Sequence, residues 1–160
     1  MKHRLAGPDD FGKVYDLYME EEANPYLTYD PMPKEAFKKI YDSVLPTDTL
    51  YVVYVNDDII ATYRLIPKTD RQAHTLYLGG FTIQREFRGM GWGIKVLEEI
   101  KSMAVADRKK RIELTVDVHN TSAIGLYEKA GFRVEGTLAK SYRMSSTNQY
   151  YDEYLMAVIL

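Results

Sequence analysis

The segment FRGMGWG, Phe87 to Gly93, carries glycines at positions 89, 91 and 93 between two stretches of opposite periodicity. Ahead of it, HTLYLGGFTI (74–83) is rich in β-branched and aromatic residues and reads as a strand; behind it, IKVLEEIK opens a helix over 91–107. The chain must therefore pass from strand to helix through a turn almost bare of Cβ atoms. Such a junction collects free backbone N–H groups and the positive end of a helix dipole at one point, which suits an anion. Arg88 adds a cation beside it. Two phosphate signatures are excluded by spacing. The glycines do not form GxGxxG, and Lys95 stands two past Gly93 with no Ser or Thr after it, so GxxxxGK followed by Ser or Thr fails as well. A phosphate cradle of another kind and a plain structural turn both remain.

The rest of the chain alternates strand-like and helix-like patterns. Residues 1–6 form a short strand. Asp9, after Pro8, caps a helix whose inward stripe is Phe11, Val14, Tyr15 and Tyr18, and which ends before Pro25. A second helix over 33–44 has Pro33 in its first turn and Phe37, Ile40 and Tyr41 inward. LYVVYV (50–55), the turn NDD and IIATYRLI (59–66) make a hairpin. Gly79-Gly80 interrupts the next strand and marks a bulge or a close backbone approach. The 91–107 helix turns Val96, Leu97, Ile100, Met103 and Ala104 inward. RIELTVDV (111–118) alternates, with Ile112, Leu114, Val116 and Val118 on one face. A helix over 121–130 stops at Gly131, and strands near 132–143 and 149–159 close the chain. The sum is a mixed α/β fold, a hairpin-rich sheet with helices against it.

At 160 residues the chain is expected to be one domain, 1–160, burying roughly two-thirds of the surface its unfolded form exposes. A net charge of −2, with RKKR (108–111) as the longest basic run, argues against duplex nucleic acid as a partner. The absence of cysteine excludes disulfides, thiolate metal sites and an acyl-cysteine intermediate. No apolar stretch approaches the ~20 residues of a membrane span, and MKHRLAGPDD lacks a signal-peptide core, so a cytoplasmic protein without membrane contact is expected.

Arg88-x-x-Gly91-x-Gly93 resembles the Gln/Arg-x-x-Gly-x-Gly/Ala signature of the GNAT superfamily of N-acetyltransferases. The stretch NTSAIGLYEKAGF, Asn120 to Phe132, is similar to that family's segment after the fifth strand at nearly every fixed position, and YDEYLMAVIL resembles its last strand. The specific resemblance covers about 75–160; before that it is topological. On the residues alone, Asn120 is also a plain helix cap, Tyr127 an ordinary half-buried aromatic, and Gly125 a position that costs its helix about 1 kcal/mol relative to alanine. Matching spacing in two segments favours the functional reading. The fold implied is a mostly antiparallel sheet of about seven strands with about four helices on it.

The resemblance further implies direct transfer of an acetyl group from acetyl-CoA, the cosubstrate, to a primary amine in a ternary complex, with no metal. It assigns the pyrophosphate to Arg88 and the backbone of Gly89, Met90, Gly91, Trp92 and Gly93, and the pantetheine arm to Phe81, Thr82 and Ile83. An N–H of that strand is expected to meet the oxyanion. Tyr127 is expected to protonate the leaving thiolate, since a phenol's reference pKa is about 10. Asn120 would orient the cofactor, and Trp92 would pack under the loop. An ammonium acceptor must first lose a proton, and the candidates for taking it are His74, Tyr77 (directly or through a water), Asp117 and His119. The alternative to an enzyme is a CoA-binding regulatory module that keeps the glycine loop but has no use for Tyr127; a purely structural domain is a third reading.

The acceptor region implied by the family reads EEEANPYLTYDPMP (20–33). Glu20, Glu21, Glu22 and Asp30 could attract a cationic amine, with Tyr26 and Tyr29 lining a slot, or the run is simply a solvated helix end. Negative charge at a helix C-terminus opposes the dipole, which hints at another purpose. The choice between a small amine, an amino acid or polyamine, and a protein N-terminus stays open, and the family also allows a homodimer.

Overall fold

Nearly every stretch of period two becomes a strand and every stretch of period 3.6 a helix. The structure, a computed structural model, describes residues 1–160. In chain order it contains β1 (Lys2–Leu5), α1 (Phe11–Tyr18), α2 (Lys34–Val44), β2 (Leu50–Val55), β3 (Asp58–Pro67), β4 (Thr75–Ile83), α3 (Trp92–Ala106), β5 (Arg111–Asp117), α4 (Thr121–Lys129), β6 (Arg133–Met144) and β7 (Gln149–Ile159). The strands form one sheet in the order β1-β2-β3-β4-β5-β7-β6. β4 and β5 run parallel, whereas the β1–β2, β2–β3, β5–β7 and β6–β7 pairs are antiparallel. Seven strands and four helices match the expected class. None of the helices is long and apolar enough to cross a membrane.

The chain divides into two compact units: Met1–Leu65 with Gly79–Arg88, and Ile66–Leu78 with Gly89–Leu160. In the first, α1 starts one residue later than a cap at Asp9 would set it. Pro8 to Asp10 make a 3-10 turn, and Asp10 rather than Asp9 serves the helix start, its carboxylate accepting the Gly7 N–H at 2.7 Å. The reason is reach, because a carboxylate three residues on can fold back to that N–H. Arg4 grips the same carboxylate at 2.6 and 2.9 Å, and this hydrogen bond, helped by Gly7, holds the Asp10 carboxyl below its usual range against the opposing effect of burial. Val14, Leu17 and Tyr18 of α1 and Phe37 and Tyr41 of α2 are buried together. Their rings interlock, with centroids 5.3 Å apart for Tyr18 and Phe37 and 5.5 Å for Phe11 and Tyr41. The Tyr41 hydroxyl donates to the Gly7 carbonyl at 2.6 Å and ties α2 to the start of α1. Asn56 and Asp57, both with positive φ, turn the β2–β3 hairpin.

In the second unit, α3 buries Val96, Leu97, Ile100 and Ala104, with Met103 half-buried. β5 buries Ile112, Leu114 and Val116 as its alternation predicts, yet Glu113 and Asp117 on the other parity are buried too. The strand lies between two neighbours and is covered on both faces, so its polar residues must find partners. Glu113 finds Lys68 and Arg111. α4 stops at Gly131, whose φ of 94° is the expected left-handed exit.

Candidate active site

The turn between β4 and α3 owes its shape to two glycines. Gly89 (φ 72°) and Gly91 (φ 81°) adopt left-handed backbone, which side chains resist. A Cβ at either would meet nothing within 4 Å, so the space above the turn is open and the glycines are required by conformation. Gly91 occupies the N-cap position of α3 without a side-chain cap. Gly93 lies within the helix. Met90 is 65% exposed at the tip. Trp92, first residue of α3, is half-buried, with the Lys95 ammonium 4.7 Å from its ring centroid; this gives the side chain a cation–π role at the helix start.

Arg88 precedes the turn and is already engaged. Its Nε donates to the Ile83 carbonyl at 2.8 Å, one terminal nitrogen reaches Glu20 at 2.5 Å, and Glu22 lies 3.5 Å from the other. Burial alone would raise the Glu20 carboxyl, but the Arg88 bond and the Glu22 and Ala23 N–H groups outweigh it and hold the carboxyl below its usual range. Glu22 also pairs with Arg85. The acidic run is therefore largely neutralised by arginines. Glu21 is exposed. Beside this network an open cleft of about 240 Å³ is lined by Lys13, Asp16, Glu20, Gln84, Arg85 and Arg88.

Within β4, Thr82 is buried while Phe81 and Ile83 are half-buried. The Gly79-Gly80 pair marks a close approach, as its sequence suggested. Gly80 has φ 57°, and a Cβ on it would fall 3.2 Å from Cζ of Tyr18 and closer still to the hydroxyl. Tyr18 is 2% exposed, and burial pushes its phenol well above the ordinary range. Tyr29 packs with the aromatic core, 5.9 Å from Tyr18 and 6.0 Å from Phe37, and lines a small cavity there, while Tyr26 stands 47% exposed. The two tyrosines thus have different surroundings.

In the second unit, Asn120 caps α4, its Oδ1 accepting the Ala123 N–H at 3.1 Å, so the structural role foreseen for it is present. Tyr127 is 8% exposed and packs 5.8 Å from the Phe132 ring. Burial, with a smaller contribution from Tyr77, raises its phenol far above the ordinary range and keeps it protonated at neutral pH. The Tyr77 hydroxyl is itself fixed by Thr115 at 2.9 Å. At the end of β5, buried Asp117 accepts the Tyr142 hydroxyl at 2.6 Å and the His119 N–H at 2.7 Å, with His119 Nδ1 at 3.1 Å. Burial and the Asp117 bond raise the Tyr142 phenol. His119 is exposed at its side chain, and so is His74 ahead of β4.

Sequence reasoning passed over two residues that the structure brings forward. In the sequence Tyr18 is marked only as part of an inward stripe. Arg64, the one cation in β3, is the available signal. Its guanidinium donates to the Thr49 hydroxyl at 3.0 and 3.2 Å and shares a cavity of about 10 Å³ with Tyr18, Tyr29, Phe37 and Tyr41.

Comparison with known proteins shows the family to which this fold belongs. Residues 11–132 match the model described as the Acetyltransferase (GNAT) family. An L-amino acid N-acetyltransferase of Escherichia coli is 31% identical over 156 residues, covering 96% of this chain and 94% of its own. A probable spermine N(1)-acetyltransferase of Bacillus subtilis subsp. natto is 33% identical over 91 residues, which is 54% of this chain and 60% of that protein. Among solved structures, a spermidine N-acetyltransferase from Vibrio cholerae, crystallised with CoA and spermine, superposes with a TM-score of 0.83 at 19% identity, covering 99% of this chain and 94% of the other.

Proposed function

The chain belongs to the GNAT family and is an N-acetyltransferase, and from that premise we propose how its residues carry an acetyl group from acetyl-CoA to an amine. When bound, acetyl-CoA supplies the acetyl group already activated as a thioester. The observation that carries the reading is the left-handed Gly89–Gly91 turn opening α3, reached from β4 through a 3-10 turn at Arg85–Phe87. Its open upper surface, at the positive end of the α3 dipole, suits a pyrophosphate. Arg88 adds positive charge there, in exchange with Glu20. The strand residues Phe81, Thr82 and Ile83 hold the pantetheine arm through backbone pairing, and a strand N–H stabilises the charge that develops on the acetyl oxygen.

Tyr127 donates the proton needed by the departing sulfur. Burial keeps that phenol protonated but also makes it a weaker acid, so the transfer relies on the same dry setting raising the basicity of the departing thiolate. Tyr77, fixed by Thr115, holds the neighbouring position. Asn120 orients the cofactor with its amide nitrogen, its oxygen being used by the helix cap. For removal of the acceptor's proton, His119 is the candidate with a carboxylate behind it. If Nδ1–H donates to Asp117, Nε2 is left as the acceptor.

Titration calorimetry tests the proposal. Acetyl-CoA should bind with an affinity in the micromolar range, and acetyl transfer to at least one member of an amine panel should follow. Absence of acetyl-CoA binding would end this reading; binding without transfer to any amine would favour a regulatory module.

A further inference from the structure

Arg64 is half-buried, and no carboxylate lies within ion-pair distance of it. Every other arginine in the chain is either paired with a carboxylate (Arg4, Arg85, Arg88, Arg111) or exposed to solvent. A guanidinium withdrawn from water without a counter-charge is unfavourable unless something anionic is meant to meet it. Its position says what that is. Arg64 shares a small cavity with Tyr18, and its charge is felt at the Tyr18 phenol. The hydroxyl of that phenol reaches the kink of β4 at Gly80. The strand residues that follow, Phe81 to Ile83, are those assigned above to the acetyl carrier. The cavity of about 10 Å³ has room for one water-sized group, such as a carboxylate oxygen.

We propose that Arg64, assisted by the Tyr18 hydroxyl, binds the carboxylate of the acceptor, and that the acceptor is therefore a free α-amino acid. The inference rests on the acetyl-transfer reading and names its substrate class. In an α-amino acid one carbon separates the carboxylate from the amine, so anchoring the first at the β4 kink delivers the second to the same strand. The charges elsewhere in this unit agree. Of the acidic residues near α1, Glu20 and Glu22 are taken by Arg88 and Arg85, which leaves a polyamine the exposed Glu21 and Asp30 at the surface, while Arg64 would repel a polycation within. A protein N-terminus carries an amide where Arg64 calls for a carboxylate. Arg64 is well suited to the task, because its guanidinium keeps donors free beyond the edge that holds Thr49 and carries a charge that a carboxylate oxygen entering the cavity would meet.

The test sets each of several L-amino acids against its own carboxamide, together with a dipeptide and spermidine, in steady-state acetyl transfer. The acid should exceed its amide by about 10- to 100-fold in kcat/KM, the ratio expected for a charge-assisted contact. Arg64→Gln should bring the acid down to the level of the amide through KM, with the acetyl-CoA Kd unchanged. Arg64→Lys, which keeps the charge but not the guanidinium, should retain part of the preference; together with the acid–amide ratio of the unaltered protein it decides the matter if Arg64→Gln fails to fold. Equal use of acid and amide, a preference that survives in Arg64→Gln, or better use of spermidine than of every acid would overturn the assignment while leaving acetyl transfer intact. Transfer to none of the amines would overturn both readings.

Discussion

At the turn that follows β4, Arg88 is held by Glu20 at 2.5 Å and by the Ile83 carbonyl; on β3, Arg64 has only the neutral Thr49 hydroxyl. The first arginine is conspicuous in the sequence because it opens a recognisable signature, and in the fold its charge is already compensated. The second belongs to no motif, and its charge is not compensated. The contrast teaches that a motif locates a group without saying whether its charge is available. It also reverses the reading of the acidic run at 20–22, whose carboxylates are counter-ions for Arg85 and Arg88 more than bait for a cationic amine.

The harshest way to probe the separation between cofactor chemistry and acceptor recognition is Tyr127→Phe. Loss of the proton donor should lower kcat by about 10²- to 10⁴-fold, while calorimetry finds acetyl-CoA affinity within twofold and rate assays find the acid-over-amide ratio intact. A variant that loses affinity instead would mean Tyr127 is a packing residue. Next in size is Gly91→Val. Forcing a β-branched residue to φ 81° strains the turn and screens its N–H groups, so acetyl-CoA Kd should rise about tenfold or more. An unchanged Kd would remove the glycine turn from the cofactor site.

The smallest expected effect is the most direct comparison of the two arginines. Glu20→Gln releases Arg88 from its strongest competitor and should tighten acetyl-CoA binding by about two- to tenfold at low salt. Stability should change by less than about 1 kcal/mol, since the pair is partly solvated. Weaker binding in this variant would show that Glu20 positions Arg88 instead of competing for it. Acid acts in the same direction. The folded Glu20 carboxyl lies below its unfolded value of about 4.3, so the pair's contribution is complete above that pH and is lost as pH falls through the folded pKa.

What could be read from the chain in advance follows a physical boundary. Local features were legible: the periods of the strands and helices, the left-handed stop at Gly131, and the cap at Asn120 all depend on neighbours a few residues away. The α1 cap missed by one residue because Asp9 and Asp10 are chemically alike and only backbone reach separates them. Features made by distant segments were not legible. Arg88 and Glu20 are 68 positions apart, Tyr77 and Thr115 are 38, and Asp117 meets Tyr142 across 25. The Gly79-Gly80 pair announced that something would come close to β4, but not that it would be the Tyr18 phenol. Burial of Glu113 and Asp117 likewise depends on strand order, which alternation along one strand does not report.

β6 ends the sheet, and along most of its twelve residues it is exposed, with Val134 and Leu138 open to water. A long bare strand edge is a template on which other chains can accrete. This one is interrupted twice, by register shifts at Val134/Gly136 and at Leu138/Tyr142, and Lys140 in the second takes a left-handed backbone. Broken registers and the charges of Arg133, Glu135, Lys140 and Arg143 deny an incoming strand a continuous ladder. Straightening β6 by deleting Lys140 should therefore harm solubility at high concentration before it harms catalysis.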